Sequence, residues 1–366
     1  MSWDAFDHRC MAEALRLARR GLDGTHPNPR VGCVIARDGR VLGRGWHAFA
    51  GGPHAEIGAL EEAGEGARGA TAYVSLEPCS HHGRTAPCTA ALIEAGIARV
   101  VSAVRDPNPS VDGDGERQLR DAGVAVESGL MAAAAEALNA GFFKRMRGQG
   151  PWVRVKLAQS LDGRTALASG QSQWITGEAA RRDVQAWRAR ASAVLTGIGT
   201  VRADDPALNV RTPGCRRQPL RVIADSRWQT PPAAHTLSLE GEVLIAGRAD
   251  LEAPAALAAG PAELLPLPAR GAHLDLRALM QALAAREVNE VQVEAGATLC
   301  GALLEERLVD EILLYQAPLL LGAGARDAFR FGPLASMEER VPLQWLEQVR
   351  VGRDLRLRLR PDYGDR

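Results

Sequence analysis

Short apolar strand patterns alternate with helical patterns along this sequence, and the alternation restricts the fold more than any other feature. In the first part, strands are predicted at 31–36, 41–45, 72–76, 99–104 and 124–127, and helices at 4–20, 54–63, 89–95, 115–122 and 131–145. In the second part, strands are predicted at 152–157, 193–196, 220–224, 242–246, 290–294, 311–316, 343–351 and 354–359, and helices at 178–191, 274–285 and 298–305. The pattern predicts α/β sheets with helices on their faces.

A glycine-containing segment at 148–150, followed by Pro151, separates the two parts. The 366 residues exceed the usual size of one domain, so we expect two domains, at 1–147 and 151–366, each with its own sheet. The segment Ala253–Ala269 is rich in alanine, leucine and proline, and we expect it to be a variable connection because its prolines forbid one continuous helix.

Charge and hydropathy restrict the partners of the chain. Its 44 Lys and Arg residues balance 44 Asp and Glu residues, which argues against nucleic acid or a membrane and favours a small-molecule substrate. No run of 18 apolar residues and no secretory pattern occurs, so we expect a cytoplasmic protein whose six cysteines are reduced. Only Lys144 and Lys156 are lysines, which raises the question of whether either needs an ammonium group.

Three potential metal ligands stand at the ends of predicted elements. His54 opens a helix, Cys79 follows a strand, and Cys88 opens the next helix. One histidine and two cysteines suit Zn²⁺, and three protein ligands leave a fourth tetrahedral position open for water, as in catalytic sites. Glu56, two residues after His54, can reach that water and act as the general base of a hydrolytic deamination.

Other readings of these residues remain open at this point. An isolated His-x-Glu pair usually lies on the protein surface and has no function. His81 or His82 is a competing zinc ligand. Together, His-x-Glu, Pro-Cys and a second Cys resemble the signature of zinc-dependent nucleobase deaminases. Here eight residues, Ser80 to Pro87, replace the usual two between the cysteines; this polar insert contains His and Arg side chains suited to a phosphate.

Several longer motifs resemble one family, the bifunctional deaminase–reductases of bacterial riboflavin biosynthesis. They are Thr25-His-Pro-Asn-Pro-Arg-Val-Gly32, Gly43-Arg-Gly-Trp-His47, Gly52-Pro-His-Ala-Glu56, Glu77-Pro-Cys79 and Pro87-Cys88, with Ala86 where the family commonly has proline. The resemblance covers nearly the whole chain. It implies an α/β protein with an N-terminal cytidine-deaminase-like α/β/α domain, a C-terminal dihydrofolate-reductase-like α/β domain, and one zinc ion per chain.

The resemblance also implies roles for residues of the deaminase domain. His54, Cys79 and Cys88 would hold the zinc ion, and Glu56 would be catalytic. The substrate would be bound by Asn28, which is expected to hold the pyrimidine, by His47, and by His81 and Arg84.

The second domain lacks the Gly-x-Gly-x-x-Gly fingerprint of ordinary dinucleotide-binding folds. Gly197 and Gly199 nevertheless follow a predicted strand, and residues 296–298 open a predicted helix whose free N–H groups suit a pyrophosphate. Each of these signals is weak alone, because glycines commonly make turns.

The family resemblance implies NADPH as the cofactor of the second domain. Residues expected near NADPH are Ala158, Trp174, Thr200, Asp204, Ser226, Gly296, Ala297, Thr298, Leu299, Cys300 and Gly301. Residues expected near the reductase substrate are Ser172, Arg188, Leu208, Arg211 and Glu294. Lys156 is expected to be catalytic as a cation near the open sugar, although a strand-edge charge is the alternative.

The resulting expectation is a homo-oligomeric enzyme, a dimer or tetramer, with two activities. It would deaminate 2,5-diamino-6-(5-phosphoribosylamino)pyrimidin-4-one with zinc, and then reduce the ribosyl group to ribityl with NADPH. Two rivals are an RNA-editing deaminase with an RNA-binding second half and a non-enzymatic protein with a structural zinc. The zero net charge argues against the first, and Glu56 beside an open coordination position argues against the second.

Overall fold

The structure is a computed structural model that describes residues 3–80 and 87–364. The chain divides into two compact units, Met1–Gln149 and Gly150–Arg366. The division lies within the glycine-containing segment that precedes Pro151.

The first unit is built from six helices and five strands within its described residues. The helices are α1 Ala5–Ala18, α2 Ala55–Ala63, α3 Cys88–Glu94, α4 Asp114–Asp121, α5 Ala132–Leu138 and α6 Ala140–Met146, with 3₁₀ turns at Arg19–Gly21 and Gly64–Ala67. The strands are β1 Gly32–Arg37, β2 Arg40–Trp46, β3 Thr71–Val74, β4 Arg99–Ser102 and β5 Ala125–Ser128. They form one sheet in the order β2-β1-β3-β4-β5.

Helices cover both faces of this sheet. Apolar residues of α1 and α5 pack on one face, and those of α2, α3 and α4 pack on the other. Strands β1 and β2 are antiparallel, as are β1 and β3, whereas β3, β4 and β5 run parallel. The carboxyl ends of β3 and β4 therefore meet at one edge of the sheet, which is where the chain continues to Cys79. The unit has the α/β/α architecture expected from the sequence.

The second unit contains six helices and thirteen strands within its described residues. The helices are α7 Glu178–Arg190, α8 Ile198–Asp204, α9 His235–Ser238, α10 Ala255–Ala258, α11 Leu276–Ala285 and α12 Ala297–Glu305, with a 3₁₀ turn at Met337–Glu339. The strands are β6 Trp152–Ser160, β7 Arg164–Ala166, β8 Ala193–Gly197, β9 Leu220–Ala224, β10 Val243–Arg248, β11 Glu263–Leu267, β12 Ala269–Arg270, β13 His273–Leu274, β14 Glu290–Val293, β15 Glu311–Ala317, β16 Arg326–Asp327, β17 Leu343–Val351 and β18 Asp354–Pro361.

Nine of these strands form one sheet in the order β11-β10-β9-β8-β14-β6-β15-β18-β17. Pairing is parallel from β11 to β15, and the terminal hairpin β17–β18 adds two antiparallel strands. The main apolar core lies where α11 and α12 pack on the sheet, and α7, α8 and α10 cover the opposite face. Loops after parallel strands open at one edge, the usual location of ligands in such folds.

Around Trp187 the contact between α7 and the sheet is ionic rather than apolar. Arg154 is 1% exposed and donates to Glu290 and Glu311 at 3.1 Å each. The Trp187 ring of α7 is surrounded by four guanidinium groups at 4.6–5.7 Å from its centroid, those of Arg154, Arg190, Arg356 and Arg358. Cation–π contacts and charge-assisted hydrogen bonds thus replace aliphatic packing here.

The structure differs from the sequence predictions in several places. The helix expected at 131–145 is interrupted at Asn139, and the residues after Gly197, for which no helix was predicted, form α8. Within the segment expected to be a variable connection, 255–258 form α10 and 263–267 form the edge strand β11. A strand was missed there because Pro266 disfavours one, yet an edge strand tolerates proline.

Among the residues that the structure describes, no helix combines the length and the apolar character needed to cross a membrane.

We predict that Glu311→Gln weakens the second unit at neutral pH. Burial alone would raise the pKa of Glu311, but the charges of Arg154 and Arg358 lower it to about 2. The ionised carboxylate therefore stabilises the fold fully above the unfolded pKa of about 4.3, and the contribution is lost as pH falls toward 2. The expected loss is about 3 kcal/mol in the free energy of unfolding at pH 7.

Urea unfolding followed by tryptophan fluorescence measures this loss, because five of the seven tryptophans lie in the second unit. Glu347→Gln is the matched control. Like Glu311, Glu347 pairs with two arginines, in its case Arg356 and Arg358, but its side chain is 33% exposed. We expect it to cost less than about 1 kcal/mol. Equal losses in both variants, or a loss that does not shrink in acid, would contradict the prediction.

Candidate zinc centre and cofactor site

Helix α2 lies directly on strand β2, and two glycines permit this contact. A Cβ atom at Gly45 would stand 1.9 Å from the Ala55 carbonyl oxygen, and one at Gly43 would stand 2.1 Å from the Ala59 carbonyl oxygen. No side chain fits at either position. The glycines of the Gly43-Arg-Gly45 motif therefore fix the first turn of α2, which carries His54 and Glu56, at backbone distance from the sheet.

The three potential zinc ligands meet in the first unit. His54 immediately precedes α2, Cys79 follows the carboxyl end of β3, and Cys88 is the first residue of α3. The Nδ1 atom of His54 lies 3.1 Å from Cys88 Sγ and 3.5 Å from Cys79 Sγ, and the three ligand atoms lie within 4.8 Å of one another. Within residues 3–80 and 87–364, this is the one group of three or more His, Cys, Asp or Glu residues that could hold a metal ion.

The electrostatics of the cluster favour a thiolate beside a protonatable carboxyl group. Hydrogen bonding by Cys88, with further bonds from His54, lowers the pKa of the Cys79 thiol to about 4. The Cys88 backbone N–H also donates to Cys79 Sγ at 3.4 Å. Burial and the neighbouring Cys79 raise the pKa of Glu56 to about 7. A carboxyl group with a pKa near 7 can both accept and donate a proton at neutral pH.

The donor set fits a zinc ion. Tetrahedral zinc with thiolate and imidazole ligands separates nitrogen from sulfur by roughly 3.6 Å, close to both distances at His54. One nitrogen and two sulfur ligands from the protein leave one tetrahedral position, and the Glu56 carboxyl group is buried near both cysteines. This is the ligand count of a catalytic zinc site.

Asn28 and His47, both predicted to contact the substrate, are joined to each other. His47 Nδ1 lies 3.0 Å from the Pro53 carbonyl oxygen, which can only accept, so Nδ1 carries the hydrogen. In the neutral ring, whose pKa burial lowers, Nε2 then accepts from the Asn28 side-chain amide at 3.1 Å. Asn28 Oδ1 is thereby left as an acceptor. The His47 ring also stands edge-on to His54, with ring centroids 5.5 Å apart.

Two predicted substrate residues of the first unit, His81 and Arg84, lie outside the described residues, as does the alternative ligand His82.

In the second unit, the structure brings Lys156, Arg188 and Glu294 together. Arg188 makes a bidentate ion pair with Glu294, at 2.6 Å and 2.9 Å, and donates to the Asn209 carbonyl oxygen. Burial lowers the pKa of Lys156, an effect that Glu294 partly offsets. Burial alone would raise the pKa of Glu294, but Arg188, with Lys156 nearby, lowers it to about 2. Arg211 lies close enough for the charges of Arg188 and Glu294 to act on it.

The start of α12 suits a pyrophosphate. Gly296 precedes the helix, a Cβ atom there would meet nothing within 4 Å, and no side chain caps the first N–H groups. The free N–H groups of residues 297–299 are therefore available to an anion. Trp174 is 65% exposed with Arg181 over its ring, and Asp204 ends α8 on the surface. Ala158 is half-buried on β6, and the half-buried Thr200 lies in α8.

Other predicted residues are less accessible to a ligand. Cys300 is fully buried against the Ala295 carbonyl oxygen, and a Cβ atom at Gly301 would stand 1.8 Å from the Arg330 carbonyl oxygen. Both lie on the buried face of α12. The Ser226 hydroxyl oxygen already accepts from the Leu274 N–H, and Leu208 is 2% exposed. Ser172 is half-buried.

Sequence reasoning missed Asn139, which organises the segment that carries Asn28. The Asn139 side chain accepts from the Arg30 N–H at 2.8 Å and donates to the Arg30 carbonyl oxygen at 2.9 Å. It is 2% exposed and stands where the predicted helix 131–145 breaks. The only sequence signal was an asparagine, a poor helix former, inside an otherwise helical pattern.

Residues 4–104 match the family described as the cytidine and deoxycytidylate deaminase zinc-binding region, and residues 151–356 match the RibD C-terminal domain. The riboflavin biosynthesis protein RibD of Escherichia coli is 48% identical, over 96% of this chain and 99% of that protein. RibD of Haemophilus influenzae is 44% identical, over 96% of each. The C-terminal match leaves no half of the chain for an RNA-binding domain.

Solved structures agree with these matches over the full length. Acinetobacter baumannii RibD superposes with a TM-score of 0.91 at 46% identity, covering 98% of this chain and 99% of that one. A Thermotoga maritima diaminohydroxyphosphoribosylaminopyrimidine deaminase/5-amino-6-(5-phosphoribosylamino)uracil reductase gives 0.86 at 31% identity, with the same coverage.

The two units and the zinc cluster together define a bifunctional enzyme, a zinc-dependent deaminase joined to a reductase. The chain belongs to the RibD family of riboflavin biosynthesis proteins.

We predict that Gly45→Ala damages the zinc centre through the backbone. The added methyl group collides with the Ala55 carbonyl oxygen and must displace the first turn of α2, at a cost of about 1–3 kcal/mol. We expect a lower unfolding temperature of the deaminase unit and slower ammonia release.

Gly58→Ala is the matched control, since its Cβ atom would lie 3.6 Å from the Gly45 Cα atom, an ordinary contact. Removing a glycine from a helix should instead stabilise the unit by about 0.5–1 kcal/mol. Differential scanning calorimetry and an ammonia assay on both variants measure these effects. Similar behaviour of the two alanine variants would show that the close contact is unimportant.

Proposed function

We propose that residues 1–147 deaminate a diaminohydroxyphosphoribosylaminopyrimidine and that residues 151–366 reduce the resulting 5-amino-6-(5-phosphoribosylamino)uracil. The observation that carries the proposal is the buried Glu56 beside His54, Cys79 and Cys88. The Thermotoga maritima relative, similar over both units, is named for these two reactions. The ribosyl group would become ribityl in the second step.

In the deaminase unit, His54, Cys79 and Cys88 hold one zinc ion. Zinc in such a site lowers the pKa of bound water to about 7. Glu56 takes a proton from the attacking water and returns it to the departing amine, so that water and substrate become ammonia and a carbonyl product. Its raised pKa, about 7, suits both transfers.

The substrate pyrimidine is held by Asn28, and His47 orients the Asn28 amide. Because the amide donates to His47, its oxygen faces the substrate as an acceptor and selects an N–H group there. We assign His81 and Arg84 to the substrate phosphate, because cationic side chains recognise phosphate through charge-assisted hydrogen bonds.

The reductase unit uses NADPH, which supplies a hydride when bound. The pyrophosphate of NADPH is assigned to the first turn of α12. The second domain lacks the Gly-x-Gly-x-x-Gly fingerprint of ordinary dinucleotide-binding folds. Trp174, Thr200, Asp204, Ala158 and Ser226 complete the expected cofactor contacts. Cys300 and Gly301 would contribute only by holding α12 against the fold.

The reductase substrate is assigned to the cationic group around Glu294. Arg188 is fixed by its bidentate ion pair, and Arg211 lies beside it; Ser172 and Leu208 are the remaining expected contacts. Lys156 is the catalytic candidate. Burial lowers its pKa, so its ammonium group holds a proton that it can share with the open sugar.

We further propose a cytoplasmic homo-oligomer. Free cysteines are typical of proteins in a reducing compartment, and all six cysteines are free. The outer strand β17 is paired only with β18 in the described chain, and it exposes Leu343, Trp345, Leu346 and Val349. An exposed apolar edge strand is usually covered in natural proteins, and a second copy of this chain is the occupant we assign to it.

We predict that the two activities separate by single substitutions. Glu56→Gln should keep zinc but slow ammonia release roughly 10²- to 10⁴-fold, because the amide keeps the shape and loses the proton acceptor. It should still oxidise NADPH when the deaminated intermediate is supplied. Lys156→Met should release ammonia at the normal rate but oxidise NADPH slowly.

Each variant is the control for the other, since both are measured in the same ammonia and NADPH-absorbance assays. Zinc content by elemental analysis accompanies each assay. Loss of NADPH oxidation in zinc-loaded Glu56→Gln would mean that the two reactions share one site, against the proposal.

We predict that Trp345→Lys reduces the mass of the particle in solution. The 39.0 kDa chain should run as a dimer or tetramer in light scattering after size exclusion, and the lysine should shift it toward a monomer. Trp174→Lys is the matched control, because that side chain is equally exposed, at 65% against 66%, but lies off β17. A monomeric unsubstituted protein would refute the assignment.

A further inference from the structure

Glu77 is a buried carboxylate two positions before the zinc ligand Cys79, and the reaction gives it no role. It is 3% exposed and accepts four backbone hydrogen bonds. Oε2 accepts from the N–H groups of Asp106 and Gly113, both at 3.1 Å. Oε1 accepts from those of Gly115 and Glu116, at 3.0 Å and 3.2 Å.

The four donors belong to the chain that follows β4. Two of them lie in the loop 106–113, and two lie in the first turn of α4, whose N–H groups have no partner within the helix. A carboxylate at this position satisfies them through charge-assisted bonds and is favoured by the helix dipole. The Glu77 N–H also donates to the Val104 carbonyl oxygen at 2.9 Å. Both the side chain and the backbone of Glu77 are therefore fixed to this segment.

The same segment contacts the peptide group next to Cys79. A Cβ atom at Gly115 would stand 2.1 Å from the Pro78 carbonyl oxygen, so only glycine lets α4 approach this closely. The residue before the zinc ligand is thus held between the Glu77 carboxylate and the backbone of α4. Displacement of either would move Cys79.

The spacing of the cysteines explains why such a support is needed. In a Cys-x-x-Cys turn the short connection itself restricts the distance between the two sulfur atoms. Here eight residues separate Cys79 from Cys88, so the connection cannot fix that distance. Contacts outside the connection therefore help to hold Cys79 in place. Its carbonyl oxygen accepts from the Thr89 N–H at 3.2 Å, and Glu77 binds the residues before it to the loop 106–113 and the start of α4.

We propose that Glu77 is a positioning residue for the zinc centre, and that its carboxylate fixes Cys79 relative to His54 and Cys88 by binding the loop 106–113 and the start of α4. The inference rests on the proposed zinc site. It extends that site to a residue that neither binds the metal nor touches the substrate.

The test is the zinc affinity of Glu77→Gln. The amide offers one acceptor oxygen, and its NH₂ group faces two backbone donors, so at least two of the four bonds are lost. We expect zinc affinity to fall 10- to 100-fold, as is usual for residues that support metal ligands. Competition with a chelator of known zinc affinity measures this, and the visible spectrum of cobalt(II)-loaded protein reports the ligand geometry.

Glu116→Gln is the matched control. Glu116 is also a buried carboxylate, 8% exposed, in the first turn of α4, but it accepts from Ser102 and Arg120, away from the zinc ligands. We expect it to lower the unfolding temperature of the zinc-free protein while leaving zinc affinity within about twofold of the unsubstituted chain.

Two outcomes overturn the proposal: Glu77→Gln binds zinc normally, or Glu116→Gln loses zinc affinity to the same extent. If Glu77→Gln does not fold, Gly115→Ala decides, because its methyl group would collide with the Pro78 carbonyl oxygen and stand 3.2 Å from Glu77 Oε1, which disturbs the same contact while the carboxylate charge is kept; unchanged zinc affinity there also overturns the proposal. Cys88→Ser tests the zinc site itself. If that variant retains stoichiometric zinc, the zinc site fails independently of Glu77.

Discussion

The first turn of α2 rests on the backbone of β2, and the deaminase centre depends on that contact. Main-chain atoms at Gly45 and Ala55 meet without an intervening side chain, so the position of His54 and Glu56 is set by rigid backbone rather than by rotamers. The other ligands come from the carboxyl end of β3 and the start of α3. The three ligands therefore come from three separate parts of the chain. A close contact at Gly45 fixes the start of α2, and one at Gly115 fixes the segment that follows β3.

In the second unit, the side chains of the site are held in position by ion pairs instead of close backbone contacts. Its site is organised by the bidentate pair of Arg188 and Glu294, with Lys156 beside it, and these charges are largely removed from water. Burying a charge is costly unless partners and hydrogen bonds compensate for it, so each member restrains the others. A site built in this way tolerates substitution of its apolar surroundings better than substitution of any one charge.

Sequence reasoning predicted what local patterns encode. The alternation of strands and helices gave the α/β class, and His54, Cys79 and Cys88 could be grouped because their residue types suit one metal. It could not find partners that are distant in the chain. Asn139 and Arg30 are 109 positions apart, and Glu77 binds backbone N–H groups, which carry no sequence signal. Periodicity tells which face of an element is buried, and it does not tell which atom that face meets.

The ring of guanidinium groups around Trp187 has a consequence for how α7 can move. Aliphatic contacts change little in energy when a helix slides by a fraction of a turn, because they lack direction. The ion pairs that α7 makes with the sheet, Arg190 with Glu290 and Asp183 with Arg356, are directional, as are the cation–π contacts of Trp187, so a slide of α7 across the sheet would break several at once. These ion pairs and cation–π contacts therefore fix the position of α7 along the sheet. Arg188 is the next residue along α7, so the same contacts fix the position from which it reaches Glu294.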